Sequence, residues 1–405
     1  MSAAVATGAG RSYTKGPVLE WRNLVRRSAL GVPAVDELPH VVVTSGRAAI
    51  FHALAALKLS AQTIVLAPTY HCPTMIAPIL MTGLRPRYYP IDEHGLPLLN
   101  DVAPGDVGAI IVSHYFGVPR SLAAVREWSD GHGIALIEDC AHTFFGRAGE
   151  RNVGAWGDFA TASATKFFPV IEAGLLASAS RALPVLDLAA QGALTELRGA
   201  FDLLELGALY ARCASPGDLL APLFALKRRL RGALRGAASD DEAESSRLDA
   251  DSLLRECRME RVNRAPLRLS RLLLRRLARA PLVERRRENY RRYARAFASA
   301  NGVRSLFPDI PDDTAPYVFP LWVDCADRVY GELRRRRMPV FRWDRRWPGT
   351  PDLPGDAGGH WSREVLQLLC HQNLDPEDVD AVAEATLQAR RAEASAQPLA
   401  ARHER

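Results

Sequence analysis

The chain has 405 residues, 48% of them hydrophobic and 24% charged, with six cysteines, a net charge of +6 and an isoelectric point near 9.1. That balance is ordinary for a folded protein of two or three domains and excludes disorder over most of the length. No apolar run approaches the ~18 residues that cross a bilayer, and cysteines scattered without a CxxC pair argue against a zinc site or a disulfide framework.

Residues 1–15 lack the apolar core of a secretory leader, and the cysteine pattern fits a reducing compartment, so the expected location is the cytoplasm. Between residue 38 and about residue 176, short apolar runs alternate with helical stretches. Residues 40–44 read as a strand entering Ser45-Gly46, and 48–57 as a helix; 63–67 is the next strand, closed by Pro68. Residues 108–113 and 134–138 are short buried strands with a helix over 121–132 between them. Strands separated by helices imply a parallel sheet covered on both faces, and ligands of such sheets sit at the carboxyl ends of the strands. Beyond 183 the chain turns to long Leu- and Arg-rich helices, interrupted at 236–251 by a small, acidic stretch that reads as a mobile loop. Within this region 223–235 is basic and amphipathic. It is either a helix with a solvated side or a surface that docks on an anionic membrane or a glycan-assembly partner. Residues 316–323 return to strand character and 324–337 to helix, and the tail from Arg390 is expected to fray. The arginine runs 285–287 and 334–337 lack interleaved aromatics, so no nucleic-acid partner is expected. The positive excess reads as solvated helix faces or as a pocket for an anionic ligand such as a nucleotide diphosphate.

Three segments carry chemistry. In Thr44-Ser45-Gly46-Arg47-Ala48-Ala49 a strand runs through Ser-Gly into a helix, exposing the N–H groups and positive dipole end that suit a phosphate, although Ser-Gly is also an ordinary turn. Asp139, in Glu138-Asp139-Cys140-Ala141-His142, ends a buried strand; a carboxylate there needs a cationic partner such as a pyridinium nitrogen, or else caps a helix. His142, three residues on, reaches a bound ring or is a satisfied core histidine. Lys166 follows the small, hydroxyl-rich stretch 157–165 and precedes Phe167-Phe168-Pro169. Such surroundings favour the neutral amine that attacks a carbonyl, while a lysine at a domain surface that only snorkels is the alternative.

The order Ser-Gly-x-Ala-Ala, Pro68-Thr69-Tyr70-His71-Cys72, Glu138-Asp139-Cys140-Ala141-His142, Gly157-Asp158 and Thr161…Lys166 resembles the DegT/DnrJ/StrS-type aminotransferases. The likeness covers about 38–180 and resumes at Leu369-Cys370-His371-Gln372-Asn373-Leu374-Asp375-Pro376-Glu377-Asp378. It implies a fold-type-I α/β transferase dependent on pyridoxal 5′-phosphate (PLP): a mostly parallel central sheet flanked by helices, with a smaller C-terminal α+β domain. The expected division is an N-terminal segment at 1–37, a large PLP-binding domain at 38–264 with a variable helical region at 183–257, a small domain at 265–388 and a flexible tail at 389–405. By the resemblance Lys166 is the Schiff-base lysine, Asp139 the partner of the ring nitrogen, and His142 a neighbour of the cofactor's oxygen. Thr161 stands for a phosphate-binding serine, Gly46, Arg47 and Ala48 form the phosphate turn, and Tyr70 or His71 supplies a covering ring. His114-Tyr115-Phe116-Gly117 resembles a loop beside the site. Three departures stand out: Arg47 replaces a usual threonine, Cys72 a usual stacking aromatic, and 167–174 lacks the common Gly-rich run, as in a divergent branch with Pro-Val-x-Asp/Glu. The implied reaction moves an amino group from an amino acid, glutamate, to a keto sugar, nucleotide-linked, in polysaccharide biosynthesis, by a homodimer without a metal. The alternatives are a PLP-dependent sugar dehydratase or lyase, and an inactive binding protein that kept the fold; related dehydratases replace the lysine with histidine, and this chain has Lys166.

Overall fold

The computed structural model describes residues 13–20, 31–210, 222, 224 and 250–400, with side chains as far as 393. The amphipathic segment 223–235, apart from Phe224, and the acidic stretch as far as residue 249 lie outside the described residues.

Seven strands make the larger sheet: β1 (His40–Val43), β2 (Ile64–Pro68), β3 (Arg85–Tyr89), β4 (Val107–Ser113), β5 (Ala135–Asp139), β8 (Phe159–Ser163) and β9 (Gly174–Ala177). Their order is β1-β9-β8-β5-β4-β2-β3, and only β9 runs against its neighbours. A hairpin of β6 (Arg147–Ala148) and β7 (Arg151–Asn152) stands apart. The sheet is apolar on both faces, as a parallel sheet must be when covered twice. Along β4, Ile110 and Val112 enter one core, while Ala109 and Ile111 enter the other with α1 (Gly46–Ala56) and α2 (Pro73–Met81). The first core also takes α3 (Ala123–His132) through Val125, and the helix Ala280–Phe297.

Four antiparallel strands form a second sheet, ordered β10 (Val303–Ser305), β11 (Val318–Val323), β13 (Val365–Leu369) and β12 (Val340–Phe341). Its apolar face, with Phe319, Leu321 and Leu366, shares the first core with Phe144 and Phe167. In the larger sheet, sequence reading passed over β3 and β9, and in the smaller sheet it read only β11. β3 holds a proline and two arginines, which an edge strand tolerates because one side of its ladder is unpaired. β9 is four residues of the segment after Lys166. The tail expected to fray from Arg390 instead continues the helix Pro376–Ala400. No helix among the described residues is long and apolar enough to cross a membrane.

Candidate active site

Three adjacent strands line up one carboxylate and two hydroxyls. In the register of β4, β5 and β8, Ser113 pairs with Asp139 and Asp139 with Thr161, so these side chains leave the sheet on one side at its carboxyl end. Ser113 Oγ donates to Asp139 Oδ2 at 3.2 Å, Thr161 Oγ1 to Oδ1 at 3.3 Å, and the Ala141 N–H to Oδ1 at 3.0 Å. Burial pushes the Asp139 carboxyl up, and the Lys166 charge and these hydrogen bonds oppose the shift. Among the described residues no cation comes within ion-pair distance of it. Glu138, one residue earlier, points to the opposite face. It accepts from His114 Nε2 at 2.9 Å and from the N–H groups of Gly154, Trp156 and Gly157 at 2.7, 2.8 and 3.2 Å. Burial would raise this carboxyl, but its bond to His114 and the backbone donors hold it below its ordinary value. Glu138 is wholly occupied in fixing the 154–157 loop.

Lys166 ends the short turn that follows β8. Its Nζ lies 5.2 Å from the ring centroid of Tyr317 and 5.9 Å from that of Trp343, and it makes no hydrogen bond or ion pair among the described residues. Burial lowers the amine, with Asp139 the main opposing charge. His142 packs against the same two rings, 4.5 Å from each centroid. The Phe116 N–H donates to His142 Nδ1 at 3.4 Å, from a backbone held at φ +60 beside Gly117 at φ +91. That places the imidazole proton on Nε2, which is buried without a partner. Burial first, then the Lys166 charge, pushes His142 well below its ordinary value, so it is neutral.

The Ser45-Gly46 turn opens α1 beside this group. Ser45 Oγ accepts from the Ala48 N–H at 3.3 Å, which leaves the Gly46 and Arg47 N–H groups without a helical partner. The Arg47 side chain, half-buried, has no hydrogen bond or ion pair among the described residues. β9 crosses directly behind: a Cβ on Gly174 would stand 2.1 Å from the Ser45 carbonyl carbon and oxygen.

Three expected positions need correction. Thr161 turns its hydroxyl to Asp139; Ser163, two residues on and so on the same face, is the side chain beside Gly46, whose added Cβ would lie 3.4 Å from Ser163 Cβ. His71 is not a covering ring: its Nδ1–H donates to the Pro68 carbonyl at 2.8 Å, its Nε2 accepts from the Trp347 N–H at 3.1 Å, and it stacks on Tyr88. Tyr70 is fully buried behind Trp343, its hydroxyl accepting from Gln367 Nε2 at 3.1 Å. The rings around Lys166 come instead from Tyr317 and Trp343, on segments flanking the second sheet. No local pattern marks those two residues, whereas Ser113 was findable as a hydroxyl at a strand's carboxyl end.

Residues 36–186 match the family model described as the DegT/DnrJ/EryC1/StrS aminotransferase family. Over that stretch the chain is similar to this family. The protein is an enzyme, an aminotransferase whose cofactor is PLP. It is 25% identical over 373 residues to the dTDP-4-dehydro-2,3,6-trideoxy-D-glucose 4-aminotransferase of Saccharopolyspora spinosa, covering 86% of this chain and 84% of that one. It is 31% identical over 162 residues to the L-glutamine:2-deoxy-scyllo-inosose aminotransferase of Micromonospora echinospora, 38% of each chain. Among solved structures, the aminotransferase TlmJ from Streptoalloteichus hindustanus aligns at a TM-score of 0.57 with 19% identity, over 87% of this chain and 86% of that one. NtdA from Bacillus subtilis, with bound PMP, aligns at 0.55 with 14% identity, over 88% and 74%. Both structures share the fold.

The unmatched groups of this site fit that cofactor. A buried carboxylate without a cation suits a protonated ring nitrogen, an unpartnered buried imidazole N–H suits an oxygen acceptor, and free first-turn N–H groups with an unpaired guanidinium suit a phosphate.

Proposed function

We propose that this enzyme transfers the amino group of an amino acid, L-glutamate, to the keto group of a nucleotide-linked sugar, in the cytoplasm and as a homodimer. Support for the acceptor class comes from the relative that matches along most of its length, which is named for a dTDP-linked keto sugar. The shorter match is named for a carbocyclic acceptor and a glutamine donor, and makes those the compounds to test against.

In this reading Lys166 carries the cofactor, Asp139 holds its ring nitrogen protonated, and His142 Nε2–H donates to its oxygen. The Gly46 and Arg47 N–H groups, the Arg47 guanidinium and Ser163 hold its phosphate. Bound there, the cofactor supplies an electron sink for the bond broken at the donor's α-carbon. The released Lys166 amine would take the proton from that α-carbon as a general base and, as a general acid, deliver it to the cofactor's C4′ rather than back to the α-carbon. Burial lowers the amine, which favours the unprotonated form that the first task needs. Tyr317 and Trp343 exclude water around it.

The observation that carries this reading is Asp139, buried and hydrogen-bonded on both oxygens yet without a cation. Borohydride reduction followed by peptide mapping tests it: the cofactor should be found on Lys166, and Lys166→Ala should abolish the label. A label on another lysine refutes the assignment. L-Glutamate should then convert the bound cofactor to its amine form, with nucleotide-linked keto sugars reversing the conversion. Sedimentation of the holoenzyme reads the dimer.

A further inference from the structure

The turn Ala164–Lys166 leaves the Lys166 carbonyl without its usual donor, because residue 169, which would supply the next N–H, is proline. Side chains from far along the chain replace it. Arg286 Nη2 donates to the Lys166 carbonyl at 2.7 Å, and Gln372 Nε2 to the Phe167 carbonyl at 2.9 Å. Arg286 Nε donates to Gln372 Oε1 at 3.0 Å, which joins the two arms, and Nη1 donates to the Pro316 carbonyl at 3.0 Å, one residue before Tyr317. The guanidinium is fully buried, lies 4.7 Å from the Phe167 ring centroid, and has no carboxylate partner among the described residues. Burial pushes it down to about 10, so it is still charged at neutral pH. A buried cation without a counter-ion is costly, and packing alone would be served by methionine or leucine. What an arginine adds is a rigid fork that reaches three acceptors at once.

We propose that Arg286 and Gln372 form a clamp on the backbone of Lys166, setting where the lysine amine stands relative to Asp139 and tying it to the segment that carries Tyr317. They are positioning residues: neither touches the reacting atoms. The inference rests on the reading that Lys166 carries the cofactor.

The test compares Gln372→Leu, Arg286→Lys and Arg286→Met with the wild-type holoenzyme. Readouts are the borohydride label, the pH midpoint of the visible absorbance of lysine-bound cofactor, kcat and KM for L-glutamate, and thermal unfolding. Gln372→Leu should keep its label on Lys166 while kcat falls about tenfold to a hundredfold, the loss that a displacement of ~1 Å produces, with KM within about twofold. Arg286→Met should lower kcat further and raise the absorbance midpoint, because a nearby cation has gone. Arg286→Lys should fall between the two. If Arg286→Met does not fold, the other two variants decide. A drop in unfolding temperature with kcat and the midpoint unmoved overturns the clamp. A wild-type label on another lysine overturns the functional reading instead, so the two failures are distinguishable.

Discussion

Asp139 does opposite things to stability and to chemistry. Its folded value is raised by burial, so in the cofactor-free protein it favours folding only below the ordinary carboxylate range and disfavours it as pH rises past that range. Asp139→Asn should therefore leave the cofactor-free protein at least as stable at pH 7, as read by urea unfolding. Its turnover should fall about a hundredfold, some 3 kcal/mol of transition-state stabilisation, because an amide cannot hold the ring nitrogen protonated. Wild-type turnover in that variant would remove Asp139 from the mechanism. Arg47 divides two readings in the same manner. Arg47→Thr should weaken PLP binding about tenfold to a hundredfold, the range of a lost charge-assisted hydrogen bond, with the acceptor's KM steady at saturating PLP. A raised acceptor KM with PLP affinity unchanged would instead place the guanidinium on a substrate anion. At this scale the sequence placed Asp139, His142 and Lys166 at or just past strand ends, where α/β sheets present their ligands, and the structure puts Lys166 and His142 against the same two rings. Thr161 was legible as a site residue but not in its contact: strand register, which no single segment records, turns it to Asp139.

Elements meet most tightly where β9 passes behind the first turn of α1. A side chain at Gly174 would need space already taken by the Ser45 backbone, which cannot swing away as a side chain could. Gly174→Ala should cost at least about 3 kcal/mol, measured by urea unfolding, and should reduce PLP retention by moving the Ser45-Gly46 turn. A variant of wild-type stability would mean that the turn yields freely. The strands that sequence reading found, β1, β2, β4, β5 and β11, carry apolar runs. Those it passed over in the larger sheet, β3 and β9, are short or polar and take their identity from neighbours, and the buried run of β13 was passed over although it is apolar. The segment 167–174, without the usual glycines, still delivers one where contact demands it. Its Glu172 accepts from the Leu267 N–H at 2.9 Å and pairs with Arg261 at 2.5 Å, a role its sequence does not announce.

Across the whole molecule, two neutral histidines pin distant segments together. His71 joins the strand end at Pro68 to Trp347, and His371 donates to the Thr14 carbonyl at 3.1 Å while accepting from the Asn373 N–H at 3.3 Å. Burial lowers them to about 4 and about 3. A folded value below the unfolded one, near 6.5, means that the unfolded chain binds the proton. Their stability contribution is therefore complete above about pH 6.5 and is lost as pH falls toward 4, each by about 1.4 kcal/mol per pH unit. Urea unfolding between pH 7.5 and 5 should show that slope, to which the buried His142 adds, and His371→Gln should flatten it by one histidine's share, about 1.4 kcal/mol per pH unit. Stability independent of pH over this range would show that neither histidine is held neutral.

The bond between Gln372 and the Phe167 carbonyl also bears on how the enzyme is made. A ribosome delivers Lys166 more than 200 residues before Gln372 has been synthesised, and Asn373, the next residue, binds back to Val18 near the start. The large sheet can pair early, since β9 ends at Ala177. The lysine turn lacks the Gln372 arm of its clamp until that residue has emerged. A chain stopped between Lys166 and Gln372 would hold the reactive lysine without that arm.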